Sequence, residues 1–424
     1  MAIYYLQRLT LNGVSLVARS LVSFGAVFFA AQTVAPDQFY IITTGLIISL
    51  LVQTLSDWGF NLTIYRERCS SGDIQDHHLV AGKLAWSLSV AFVSALALFA
   101  VSIEEKLIFF IFIIVGLLQS HLNLLYMASR AENRYEIEAI SQSIQCALFA
   151  AGIFWIAGSP SPAGIALALL MPRVVLMIVT TPYFRKFALF AWPSQERFMN
   201  SIEALQKSFM KVSSIGVFSV LALSNLYIDN FVLGLYVGPT ELGLFQAHVR
   251  MTLAFITLFE VVGVVIQNDL MRSYDDLERF KRSATIYLSG LAGLILFSLW
   301  PLSIWYGEIT GLLLGSDFEV LNQYFPYLAG VFYLRVLGTI FGLPITFEAG
   351  WQRVAVLLAT VAMAVSFNFA LVPDYGIEGA LMVSVLTHLF LNISYLYFSH
   401  GYLRKLHGTL LIAASPIGVF ALLG

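Results

Sequence analysis

The chain has 424 residues, 59% hydrophobic and 11% charged, with a mean hydropathy of +0.82. A soluble domain carries roughly 25% charged residues, so this composition excludes an aqueous globular fold and identifies a polytopic membrane protein. The formal net charge of −2 says nothing about partners, because the asymmetry that matters lies between loops on opposite sides of the bilayer; no nucleic-acid partner is expected, and two cysteines, Cys69 and Cys146, make no disulfide framework.

At roughly 20 apolar residues per span, the sequence predicts an all-α protein with membrane helices over 11–31, 39–64, 79–101, 107–127, 137–156 and 163–181. A second set follows over 212–236, 242–270, 284–306, 324–347, 354–372 and 377–398, twelve helices in all. The first ten residues lack a small-residue cleavage site, so the first run reads as a retained helix. A last apolar stretch, 410–423, contains Pro416 and reads as a short thirteenth helix or an interfacial segment.

Basic residues gather on one side, from Arg8 through Arg66, Arg68, Lys83, Arg130 and Arg134 to Arg404 and Lys405, with Lys106 alone on the other. The positive-inside rule then makes the N-terminus cytoplasmic. The longest extramembrane piece lies near the midpoint, and the outer loops are short. The division that follows is an N-terminal six-helix lobe over 1–183, a cytoplasmic linker over 184–211, a C-terminal lobe over 212–400 and a tail over 401–424. A surface amphipathic helix is a candidate over 190–210.

The loop Val34, Ala35, Pro36, Asp37, Gln38, Phe39 corresponds to Val237, Gly238, Pro239, Thr240, Glu241, Leu242. Gly164, Ile165 and Ala166 correspond in the same way to the segment around Gly376, Ile377 and Ala380. Such frames suggest two repeats of equal orientation about an axis along the membrane normal, a design that places substrate between lobes.

The stretch from Asn225 through Asp229 and Gly234 to Ala247 resembles the helix seven to helix eight junction of polysaccharide exporters. Asp57-Trp58-Gly59-Phe60, Gly350-Trp351-Gln352-Arg353 and Pro373 to Ala380 look like the same family, the Wzx-type lipid-linked oligosaccharide flippases of the MATE-like MOP exporters. The resemblance covers nearly the whole chain. It implies a MATE-like pair of six-helix bundles that moves an undecaprenyl-pyrophosphate-linked glycan, such as an O-antigen unit, between leaflets of the bacterial inner membrane. It also implies a polysaccharide polymerase and chain-length regulator as partners, besides membrane lipids.

Four arginines, Arg19, Arg173, Arg250 and Arg335, fall inside apolar runs. On insertion scales each costs roughly 2.5–3.5 kcal/mol at the bilayer centre, so something must offset on the order of 10 kcal/mol. One offset is a cavity that binds the pyrophosphate or an anionic sugar, because a guanidinium forks onto phosphate oxygens. Helix and depth make Arg19 and Arg250 similar to the cavity arginines of related lipid II flippases. The other offset is ion pairing, with Asp57 beside Arg19, Asp229 beside Arg250, and Glu260 available across a bundle. Glu260 lies about 80° around its helix from Arg250, and Asp57, Asp229 and Glu260 are candidates for coupling to H⁺ or Na⁺.

Asn225, Gln246 and His248, together with Gln119, Asn123, Asn368, His388 and Asn392, are candidates for sugar contacts or for bridges between helices. Trp58, Trp192, Trp300, Trp305 and Trp351 fit membrane interfaces. No P-loop, HExxH, CxxC or GxSxG pattern occurs, so no catalytic residue, metal ligand or cofactor site is expected. Two other functions fit an apolar chain. A MATE-type H⁺- or Na⁺-coupled small-molecule exporter would favour buried acids over arginines, and a glycan polymerase or ligase would need a long outer loop.

Overall fold

The computed structural model describes residues 2–71, 77–100, 103–187, 195–272, 276–341 and 350–398. Among them the regular structure is helical: α1 (Ala2–Thr33), α2 (Pro36–Asp57), α3 (Phe60–Ser71), α4 (His77–Ala97), α5 (Ile103–Ala131), α6 (Tyr135–Ile156), α7 (Pro162–Lys186), α8 (Gln195–Leu233), α9 (Pro239–Arg272), α10 (Leu277–Leu314), α11 (Phe325–Phe341) and α12 (Gly350–Phe398). Eight of the described helical segments are long and apolar enough to cross a membrane. A bilayer offers no water to backbone amides, so each apolar run must satisfy its own hydrogen bonds as a helix.

The helix ends follow local chemistry. Pro36 and Pro162 open α2 and α7, where a missing N–H costs nothing, and the Ser161 hydroxyl accepts the Gly164 N–H at 3.1 Å. Asp276 caps α10 by accepting the Arg279 N–H at 3.2 Å. The run Gly350–Phe398 holds both of the last two predicted spans, separated at Gly376, whose φ of 55° and ψ of −128° suit only glycine. The stretch 410–423 lies outside the described residues.

Two expectations are corrected. The second span, predicted as one helix over 39–64, breaks after Asp57. Trp58 adopts a left-handed φ of 43° and donates its N–H to Thr54 O at 2.9 Å, Gly59 follows at φ 84°, and the Asp57 carboxylate caps α3 by accepting the Asn61 N–H at 2.9 Å. The segment around 190–210 is not a separate surface helix from Gln195 onward, because α8 runs unbroken from Gln195 to Leu233.

The chain forms two compact units, Met1–Leu223 and Ser224–Gly424, and the division falls inside α8. In the first unit α2 and α5 approach closely at Gly116, where a Cβ would come within 2.4 Å of the Ser49 carbonyl oxygen. Its core gathers Phe60, Ile64, Leu124, Leu125, Phe184 and Val212. Trp58 stacks on Phe209 at 5.6 Å and tilts against Trp86 at 5.4 Å, so its ring packs against the core of this unit. Trp300, Trp305 and Trp351 are exposed, as interfacial residues would be. In the second unit Leu233, Phe245, Val372, Ala380 and Leu381 form a core that joins α8, α9 and both spans of α12.

Candidate functional site

In the first unit, α1 exposes the apolar side chains Val14, Val17 and Leu21. Arg19 is also exposed, yet it lies on the opposite side of the helix, in line with the buried Ser15, Val22 and Ala26. It therefore faces away from the apolar outer face. No acid pairs with it among the described residues, and Asp57 is engaged elsewhere.

Arg173, on α7, is partly buried. Its Nε donates to Gln119 Oε1 at 3.0 Å and its Nη1 to the Leu169 carbonyl at 2.5 Å. Gln119 in turn donates through Nε2 to Asn123 Oδ1 at 3.0 Å. These two candidate sugar contacts of α5 thus orient the guanidinium. The partners are neutral, so the positive charge stays uncompensated among the described residues.

In the second unit Arg250, on α9, is 4% exposed. Its nearest partner is Tyr227 of α8, whose hydroxyl accepts from Nη1 at a long 3.5 Å and whose ring centroid lies 5.7 Å from the guanidinium carbon. Nη2 has no partner. The proposed pairing with Asp229 does not form, because Asp229 and Tyr227 stand on different faces of α8. Arg335, on α11, is half-buried, engaged with its neighbours, and close enough to His388 of α12 to act on it electrostatically.

Asp229 is 3% exposed and turns toward α12. Its Oδ1 accepts from Asn368 Nδ2 and its Oδ2 from the Ser384 hydroxyl, both at 2.7 Å. No cationic side chain meets it among the described residues. One turn away on the same face, Asn225 is 8% exposed with its Oδ1 unpartnered, and Asn368 Oδ1 is unpartnered too. A buried carboxylate ringed by neutral oxygens and donors is suited to a proton or a small cation.

The other candidates separate. His248 is buried, with Nδ1 3.5 Å from the Tyr306 hydroxyl and its ring edge-on to Tyr324. Gln246 is buried and engaged. Asn392 bridges helices by donating to the Leu334 carbonyl at 2.9 Å. The Glu260 side chain lies outside the described residues.

Asp57 pairs not with Arg19 but with Lys83, whose Nζ stands 3.8 Å from Oδ1. Lys83, grouped by sequence with the cytoplasmic loop cations, is fully buried in α4. Sequence reasoning also passed over a polar stripe on α6. Glu138, Ser141, Gln142 and Gln145 are all buried, and Glu138 grips Arg130 of α5 in a two-pronged pair at 2.5 and 2.6 Å. Their i, i+3, i+4, i+7 spacing was the available signal. Among the described residues no group of three or more His, Cys, Asp or Glu could hold a metal ion.

Several solved structures share this fold. An inward-facing multidrug resistance MATE transporter of the MOP superfamily superposes with a TM-score of 0.70 at 12% identity, over 92% of this chain and 95% of that one. The lipid II flippase MurJ in an inward closed conformation gives 0.70 at 14% identity, over 95% and 91%. A Pyrococcus furiosus MOP transporter, described as having a binding pocket of reverse polarity, gives 0.63 at 14% identity, over 95% and 96%. None of the curated protein sequences matches the chain. The all-α, multi-pass membrane fold is MATE-like, and a family profile matches residues 6–267, so the chain belongs to the polysaccharide biosynthesis protein family.

Proposed function

We propose that this protein is a flippase that carries an undecaprenyl-pyrophosphate-linked oligosaccharide, a repeat unit of O-antigen or another surface polysaccharide, from the cytoplasmic to the periplasmic leaflet by alternating access. The observation that carries this reading is that Arg173, partly buried, and Arg250, buried, have no carboxylate partner among the described residues. A guanidinium held by an amide or a phenol still owes its charge a counter-ion, and a pyrophosphate supplies one with about two negative charges. Arg19, opposite the apolar face of α1, is a further cation of the first unit, and Arg335 of α11 is a further cation of the second. Family membership and the likeness to a lipid II flippase support the same class of cargo.

In this reading the N-terminus is cytoplasmic and the bacterial inner membrane is the site of action. The product passes to a polysaccharide polymerase with its chain-length regulator. Asp229 is the coupling carboxylate, binding H⁺ or Na⁺ beside Asn368 and Ser384. Asn225, Gln246 and His248 of the second unit contribute polar contacts to the sugar.

The test replaces Arg173, Arg250 and Arg335 singly by Ala and by Lys in a host that depends on this protein. Surface polysaccharide and cytoplasmic-leaflet lipid-linked intermediates are then measured. Ala variants are expected to lose export and accumulate intermediates, with partial rescue by Lys. Normal export by every variant removes the cationic-site assignment. The MATE-type exporter reading is favoured by one observation, the uncompensated Asp229, and it predicts export of a cationic dye that survives the arginine changes and is lost in Asp229→Asn.

A further inference from the structure

The buried pair of the first unit is built unequally. Lys83 has no solvent exposure, while the Asp57 side chain is 33% exposed. The ammonium has three donors, yet it makes one close hydrogen bond, to Ser120 Oγ at 2.9 Å, and stands back from Asp57 at 3.8 Å. Asn61 completes the surroundings. Its N–H binds Asp57 Oδ1, its Nδ2 reaches the Ser120 carbonyl at 3.4 Å, and its Oδ1 is buried with no partner.

Asp57 on α2 and Ser120 on α5 thus set a carboxylate and a hydroxyl against the ammonium, and Asn61 on α3, bonded to both of those residues, adds an amide oxygen that is still unpartnered. Hard oxygens of this kind suit an alkali cation. The second unit gathers a similar set around Asp229, with a carboxylate, two side-chain amides and a hydroxyl, but there no cationic side chain intrudes. A lysine delivered from a fourth helix, α4, makes the difference.

We propose that Lys83 is a tethered cation, its ammonium occupying in the first unit an oxygen-lined site that would otherwise take a sodium ion. The idea rests on the reading of Asp229 as the coupling carboxylate and limits coupling to that one site. Covalent attachment makes occupation by the ammonium an intramolecular event, which gives up none of the translational freedom that a diffusing ion loses on binding. The charge that caps the break between α2 and α3 is therefore neutralised throughout the transport cycle, and only the second unit responds to the ion gradient.

The experiment compares melting temperatures of purified full-length protein in sodium and in choline chloride, in a main series that carries Asp229→Asn to silence the second unit and in a parallel series without that change. With Lys83 intact, sodium is expected to change nothing. With Lys83→Met added, sodium at about 0.1 M is expected to raise the melting temperature by about 2–4 °C. Adding Asp57→Asn as well is expected to abolish the rise. Lys83→Gln, which keeps the length and a polar end, replaces the Met variant if the latter is not monodisperse. A folded Lys83 variant without a sodium response overturns the proposal, and so does a sodium response that survives Asp57→Asn. Failure of the Asp229 reading gives a different result: single-variant Lys83→Met responds to sodium, while the natural chain and Asp229→Asn behave alike.

Discussion

Replacing Asp229 separates charge from hydrogen bonding. The carboxylate receives two interhelical hydrogen bonds at 2.7 Å from neutral donors, Asn368 and Ser384, inside a site 3% exposed. In Asp229→Asn the amide oxygen keeps the Asn368 bond, and the Ser384 hydroxyl rotates to accept from the new NH₂ group. Both bonds survive with one direction reversed, and an uncompensated buried charge is removed. Stability should change by less than about 1 kcal/mol, or rise, because the desolvation cost of the charge disappears. In Asp229→Leu both bonds are lost and two donors are orphaned. Interhelical bonds in membranes average about 0.6 kcal/mol and reach about 1.7, so the pair predicts a loss of roughly 1–3 kcal/mol. Thermal denaturation in detergent, followed by circular dichroism, ranks natural chain and Asn variant together above the Leu variant. If Asn destabilises as much as Leu, the carboxylate is balanced by a fixed cation, and Asp229 is no open ion site.

Arg173→Ala and Arg250→Ala are each expected to weaken binding of a lipid pyrophosphate about 10- to 100-fold, the worth of a charge-assisted bond, in a titration of purified protein; unchanged affinity in both variants refutes the assignment. Gly216→Ala places a methyl group 2.7 Å from the Trp58 indole and should cost about 1–3 kcal/mol in thermal unfolding, with Trp58→Leu in the same chain restoring most of it. Glu138→Gln breaks the two-pronged bond to Arg130, whose side chain is 31% exposed, and should cost about 1–3 kcal/mol; a neutral result means that solvent replaces the partner.

The sequence by itself determined where the helices run. Hydrocarbon gives a backbone no alternative, so apolar length translates directly into a span, and Pro36, Ser161 and Gly376 stand at helix ends because capping and φ preferences act within a few residues. It also determined how far along its helix each arginine stands, since rise per residue is fixed. Tertiary structure alone decided what each charge meets. Asp229 finds Asn368 and Ser384 across 139 and 155 residues of chain, and Lys83 finds Ser120 across 37, pairings set by helix rotation and neighbour order. The break at Trp58 was hidden for the same reason. A left-handed tryptophan is unfavourable on its own, and it persists because Phe209, Trp86 and the bare Cα of Gly216 surround the ring while Asp57 caps the helix beyond.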